Sequence, residues 1–205
     1  SAQVDSDLGW IRTHIQTDDP QVTVGDHTDR YAVIGLCGPR ARDLLGAATS
    51  SDVSDGALPY MTAQTIDING VDLLAQRISY VGELGWELYV PTGDAVFVWD
   101  RLWQAGQEHG VKAFGYKAVD ALRLEKGYLA LGSDITAGEN PYEARLGFCV
   151  KMHAGDFIGR QALIGKNAED NRQRLYTLVI GDEEYLTLYG GEAVLSDGKV
   201  FSRLG

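Results

Sequence analysis

Ile66-Asp67-Ile68-Asn69-Gly70-Val71-Asp72-Leu73-Leu74 decides how this chain folds. Asn69-Gly70 is the dipeptide best suited to a two-residue hairpin turn, whose central residues both need φ > 0. Strand candidates lie on either side, over residues 59–68 and 71–80. The run Glu87-Leu88-Tyr89-Val90 adds the next strand, so residues 59–90 predict an antiparallel meander.

The link into that strand is chemically dense. It reads Ser79-Tyr80-Val81-Gly82-Glu83-Leu84-Gly85-Trp86-Glu87-Leu88-Tyr89-Val90-Pro91. Gly82 and Gly85 suit a turn, and polar groups on a turn held by rigid strands are a common way to build a site. The same residues also fit a plain surface hairpin. Trp86 and Tyr89 are expected to pack on the side of the strand away from Glu87.

Outward from the meander, Tyr31-Ala32-Val33-Ile34-Gly35-Leu36 is apolar throughout and predicts a central strand. Cys37-Gly38-Pro39 breaks it, and Pro39 opens a helix to Ala48 with Ala41, Leu44, Leu45 and Ala48 inward. Upstream, Leu8, Ile11 and Ile15 predict a helix over residues 7–16, capped by Asp7. Val22-Thr23-Val24 reads as a short strand. Downstream, a helix runs from Thr92 to about His109, with Val96, Trp99, Leu102 and Trp103 on one face and both tryptophans expected in the core. Gly110 ends it, and a further helix, residues 117–126, is closed by Gly127.

The pattern then changes. Residues 128–156 are loop-rich, residues 156–164 form a short helix, and residues 165–171 are linker-like. Strands are expected at residues 174–180, 192–195 and 199–201, the last pair around Asp197-Gly198. The fold class predicted is α+β, an antiparallel sheet with helices on one face. The domains expected are residues 1–165 and 172–205. The second is too short for a core of its own, and so is expected to be the truncated start of a β-barrel-like domain.

Composition bounds the function. The chain has 205 residues, 44% hydrophobic and 23% charged, an ordinary globular balance. Its net charge of −11 argues against nucleic acid or an anionic membrane as partner. Cys37 and Cys149 sit in apolar runs and read as buried free thiols in a reducing compartment. His14, His27, His109 and His153 show no metal-ligand spacing, so no metal is expected. No apolar run reaches the ~18 residues of a membrane span. The first residues, Ser1-Ala2-Gln3-Val4-Asp5, lack the basic and apolar regions of a signal peptide. Without an initiator Met, and stopping just after a strand-like run, the chain is expected to be a piece of a longer protein whose cut faces can drive dimerisation.

Four stretches carry a family resemblance in order. They are Val33-Ile34-Gly35-Leu36-Cys37-Gly38-Pro39-Arg40-Ala41; residues 79–87; Ala121-Leu122-Arg123-Leu124-Glu125-Lys126-Gly127-Tyr128; and Gly132-Ser133-Asp134-Ile135 with Asn140-Pro141-Tyr142-Glu143-Ala144-Arg145-Leu146-Gly147-Phe148. With Asp156-Phe157-Ile158-Gly159-Arg160 behind them, they resemble the glycine cleavage T-protein (aminomethyltransferase) family. The likeness is strongest to the folate-binding C-terminal region of sarcosine and dimethylglycine dehydrogenases. The forms Tyr80-Val81-Gly82-Glu83-Leu84-Gly85-Trp86-Glu87 and Leu124-Glu125-Lys126-Gly127-Tyr128 carry that preference.

The resemblance implies a domain that passes a one-carbon unit from a small amine-derived donor to tetrahydrofolate, with FAD only in a separate part of the parent protein. No Gly-x-Gly-x-x-Gly follows a strand here. It implies folate contacts at Tyr80 and Glu87, and second-line pocket residues at Glu83, Arg123, Asp134 and Glu143. A carboxylate suits a pterin, which presents a ring N–H beside an exocyclic amine, two donors accepted in parallel. The family's catalytic aspartate lies in a Gly-Gly-apolar-apolar-Asp-Asp motif upstream of the matched stretches. This chain lacks that motif, Asp18-Asp19 before Pro20 not being it, so this piece is expected to be inactive alone. Where the glycine-cleavage branch has an arginine for the folate's acidic tail, this chain has Val119. The alternatives are a glycine-cleavage aminomethyltransferase, a non-enzymatic folate-binding relative, and a folate-related methyltransferase acting on a sulfur compound. The location implied is cytoplasmic, or the mitochondrial matrix in a eukaryote.

Overall fold

The computed structural model describes residues 3–15, 22–166, 174–181 and 188–204. The chain divides into two compact units, Ser1–Tyr116 and Lys117–Gly205. The acidic pair Asp18-Asp19 and most of the expected linker lie outside the described residues.

In the first unit α1 (Val4–His14) is followed by β1 (Tyr31–Cys37), α2 (Ala41–Ala48), β2 (Ala63–Ile68), β3 (Val71–Gln76), β4 (Gly85–Pro91) and α3 (Ala95–Gly106). The four strands form one antiparallel sheet in the order β1-β4-β3-β2. The β2–β3 hairpin turns at Asn69 and Gly70, with φ of 52° and 89°, the left-handed pair a type I′ turn needs. Both hairpin strands are shorter than expected. Met61 takes φ 64° ahead of β2, and after Arg77, whose backbone still bonds to Met61 and Thr62, residues 78–84 leave the sheet.

Strand alternation places the core. Trp86, Leu88 and Val90 of β4 are buried together with Ile66, Ile68, Leu73 and Ala75. They share one cluster with Ala41, Leu44, Leu45 and Ala48 of α2 and with Val98 and Leu102 of α3. The predicted inward stripe of α2 is the buried one. Each large aliphatic side chain so buried contributes about 1.5–3 kcal/mol.

Four expectations for this unit are corrected. Among the described residues β1 is an edge strand, pairing only with β4. Its apolar run reflects two half-covered faces, since Tyr31 and Val33 stand 44% and 54% exposed on the side away from the core. The tryptophans of α3 are not core: Trp99 and Trp103 are about half exposed, their rings stacked 6.2 Å apart. The buried stripe is instead Val98, Leu102 and Gly106. Gly106 sets that rotation, because a Cβ there would lie 2.6 Å from Val111 Cβ and 2.7 Å from Leu44 Cδ1. Residues 22–24 adopt no regular structure. Helix α1 begins ahead of Asp7, with Gln3 before its first turn, and none of its residues is buried.

The second unit holds α4 (Tyr116–Lys126), whose end is turned by Gly127 at φ 76°, a loop-rich stretch, α5 (Arg160–Leu163), β5 (Ala193–Ser196) and β6 (Lys199–Arg203). β5 and β6 pair around Asp197-Gly198, both at positive φ. Residues 174–180 are not a strand. Tyr176, Leu178 and Val179 are largely exposed, and among the described residues no neighbouring strand takes up their backbone groups. The thiols differ from expectation too, Cys37 being half-buried and Cys149 exposed. Among the described residues no helix is long and apolar enough to cross a membrane.

Candidate functional site

The period of two that buries Trp86, Leu88 and Val90 turns Glu87 and Tyr89 to the opposite face of β4. Tyr89 is therefore on the same face as Glu87, not opposite it. Its hydroxyl donates to Glu87 Oε2 at 3.0 Å. Burial, and then the bond to Glu87 and its charge, push the Tyr89 phenol above its ordinary pKa. The phenol is thus kept as a donor to the Glu87 carboxylate.

Cross-strand pairing supplies the surroundings. Glu87 lies opposite Gly35 of β1 and Gln76 of β3, and Tyr89 lies opposite Val33 and Leu74. Val33 and Leu74 are exposed, and a Cβ at Gly35 would meet nothing within 4 Å. The outcome is an open floor beside a carboxylate, flanked by aliphatic and aromatic side chains. Such a face suits a flat ring that carries adjacent N–H donors.

The register of β4 is held from beneath. Trp86 is 1% exposed, and the guanidiniums of Arg42 and Arg77 lie 5.1 and 4.9 Å from its ring centroid. Both arginines also pair with Asp55. At the strand's start a Cβ on Gly85 would meet Leu36 O at 2.8 Å, so glycine permits the close approach of β4 to β1. Tyr80 belongs to the link before β4 and is 42% exposed. Gly82, at φ 76°, turns that link, and Gly38 N donates to Leu84 O at 2.8 Å to anchor it. Glu83 is exposed in the same link, where its charge joins burial in raising the Cys37 thiol pKa.

The remaining predicted residues lie in the second unit. Arg123 is 2% exposed, and all three of its guanidinium nitrogens have partners. Nε donates to Asp120 at 2.8 Å, Nη2 pairs with Asp120 at 2.7 Å, and Nη1 donates to Tyr128 O at 3.1 Å and to Asp134. Asp134 also accepts from Ala130 N at 2.7 Å. Glu143 accepts from Asn140 N at 2.8 Å. Among the described residues no three His, Cys, Asp or Glu side chains gather as a metal site.

Gly35, Gln76 and Tyr89 escaped the sequence reading. The interval of two residues was a sufficient signal for Tyr89. Gly35 and Gln76 reach Glu87 only through long-range pairing, which one sequence does not display.

The model of the GCVT N-terminal domain matches residues 1–154. The chain is 39% identical over 195 residues to the mitochondrial dimethylglycine dehydrogenase of Mus musculus, covering 95% of this chain and 22% of that one. It is 35% identical over 191 residues to the mitochondrial sarcosine dehydrogenase of Mus musculus, covering 93% of this chain and 21% of that one. It is 38% identical over 162 residues to the aminomethyltransferase of Chlorobium chlorochromatii, covering 79% and 44%. The chain thus spans less than half the length of each of these relatives. Among solved structures, the crystal structure of glycine cleavage system aminomethyltransferase T from Bartonella henselae superposes with a TM-score of 0.65 at 25% identity, covering 80% of this chain and 42% of that one. The chain belongs to the GCVT N-terminal domain family, with an aminomethyltransferase-type fold of helices on an antiparallel sheet.

Proposed function

We propose that this chain is the folate-binding one-carbon-transfer domain of an FAD-dependent N-methyl amine dehydrogenase, of the sarcosine or dimethylglycine kind. The observation that carries the reading is the Glu87 carboxylate, steadied by Tyr89 and standing beside the open floor at Gly35. Identity of 39% across 95% of the chain favours the dehydrogenase setting.

In this reading Glu87 accepts the pterin's ring N–H and exocyclic amine in parallel, and Tyr80 offers an aromatic face. Tetrahydrofolate supplies the amine that captures the one-carbon unit. What this chain's residues do is bind and orient that ring. Asp134 and Glu143 each spend a carboxylate oxygen on a loop N–H, and Arg123 closes an internal ion pair. In the proposal these three brace the loops of their own unit, and Glu83 belongs to the link that carries Tyr80. No residue of this chain is assigned to FAD or to the proton-handling aspartate. In the same proposal, residues 1–165 are the folate region and residues 172–205 belong to a β-barrel-like domain, a placement the β5–β6 hairpin supports.

A second reading, a glycine-cleavage aminomethyltransferase, is favoured by the likeness to the Bartonella henselae structure. Oxidation of sarcosine or dimethylglycine by the full-length protein, with bleaching of a flavin spectrum, separates the two. For the shared folate step, Glu87→Gln in the full-length protein should weaken tetrahydrofolate binding by ~1–3 kcal/mol, a charge-assisted hydrogen bond. Unchanged affinity in calorimetry would sink the assignment.

A further inference from the structure

The two edges of the four-stranded sheet are finished differently. At β2 the outward backbone groups of Asp67 are taken up. Its N–H donates to Ser51 Oγ at 3.1 Å, and its C=O accepts from Thr49 Oγ1. Gln64 Nε2 adds a bond to Asp52 O at 2.9 Å, so residues 49–52 lie along that edge. Cover of this kind, with a charge in the strand, keeps an edge from pairing with another chain.

β1 has neither device. Tyr31-Ala32-Val33-Ile34-Gly35-Leu36-Cys37 holds no charge and no proline, and it pairs residue for residue with β4 without a bulge. Gly38 N donates to Leu84 O, on the β4 side. By strand alternation the N–H and C=O groups of Cys37, Gly35, Val33 and Tyr31 therefore point away from β4. Among the described residues no other backbone group takes them up.

The sizes of the side chains say what fits this edge. On the outer face the large residues Tyr31 and Val33 stand at one end, 44% and 54% exposed, and the small ones, Gly35 and Cys37, at the other. An antiparallel copy of β1, turned about Ile34, sets Tyr31 opposite Cys37 and Val33 opposite Gly35. Each large side chain then meets a small one. The same four residues carry the outward N–H and C=O groups, so the register that matches size also closes the hydrogen-bond ladder. Ile34 meets Ile34 at the centre, and no charge meets its like.

We propose that the edge of β1 pairs with β1 of a second copy of this protein, joining two four-stranded sheets into one. The two-fold turn preserves the faces of the sheet. Val33 of each copy thus stands beside Gly35 of the other, on the side that bears Glu87, and the open floor gains a wall from the second copy. That consequence rests on the folate reading; the pairing does not. Seven residues make a small interface, of the class that forms and parts rapidly.

The test is sedimentation of the full-length protein across roughly 1–100 μM, the range in which so small an interface dissociates. Wild type should pass from monomer to dimer. Val33→Pro gives up an N–H that β4 does not use, so the sheet should persist while the outer ladder breaks, and association should weaken at least about tenfold. A wild type that stays monomeric, as it would if another strand of a longer protein held this edge, overturns the proposal. So does a dimer indifferent to Val33→Pro. Tyr31→Cys gives a second readout that does not depend on the proline variant folding. Residues opposed in such a ladder lie about 5.5 Å apart between Cα atoms, within disulfide reach. Under mild oxidation the introduced thiol should join Cys37 of the other copy, identified as one peptide pair by mass spectrometry. Absence of that pair overturns the register. Tetrahydrofolate should tighten the dimer by linkage. A dimer that binds it without tightening keeps the pairing and loses the wall, whereas a dimer that binds none keeps the pairing while the folate reading falls.

Discussion

The Tyr89 hydroxyl and the Glu87 carboxylate are joined at 3.0 Å, two residues apart on the outer face of β4. Tyr89→Phe should weaken tetrahydrofolate binding by ~0.5–1.5 kcal/mol, one neutral hydrogen bond's worth, acting through the orientation of Glu87. The raised Tyr89 pKa gives the sign of its pH dependence. A folded pKa above the unfolded value stabilises fully below about pH 10, and the contribution is lost as pH rises through the folded value. The stability difference between wild type and Tyr89→Phe, from urea unfolding at stepped pH, should hold from neutrality to about pH 10 and shrink above it. A difference already shrinking between about pH 7 and 9 contradicts this assignment.

Gly35 pairs with Glu87 across β1 and β4, and space lies open above it. A glycine inside a strand is a local weakness that often marks close approach by a ligand. Gly35→Val should therefore keep or raise the melting temperature while reducing tetrahydrofolate affinity by at least about tenfold, the cost of blocking the floor. Full affinity in this variant would show that no ligand crosses the position.

Arg123 is buried against Asp134, with Asp120 at the exposed side. Arg123→Gln leaves Asp134 without its cation and should destabilise the fold by about 3–5 kcal/mol in urea unfolding. The exposed Asp120 contact adds little to that figure. A loss under about 1 kcal/mol would mean that water replaces the arginine freely.

Cys37 is half-buried, with its thiol held protonated by burial and by the charge of Glu83, while Cys149 is exposed. Only the thiolate reacts with iodoacetamide. Mass spectrometry of a timed reaction at mildly alkaline pH should find Cys149 labelled first, and Glu83→Gln should quicken Cys37. Faster labelling of Cys37 in the wild type reverses the argument.

Local physics made much of this protein legible in its residues. Asn69-Gly70 specified the hairpin because few other dipeptides accept two left-handed residues in succession. The inward stripe of α2 and the alternation that separates Trp86 from Glu87 followed from helical and strand periods. The motifs around Tyr80, Arg123 and Asn140 were enough for the family. Tertiary structure alone decided three matters. Close approach at Gly106 turned α3 so that Val98 is buried and Trp99 is not. Strand order put β1 at the edge, and with it Gly35 beside Glu87. The tie from Leu175 to Glu143 gathered Arg145, Arg174 and three rings around one cavity. Each of these depends on contacts between residues far apart in sequence. A period or a turn signal, which senses only a residue's near neighbours, does not contain them.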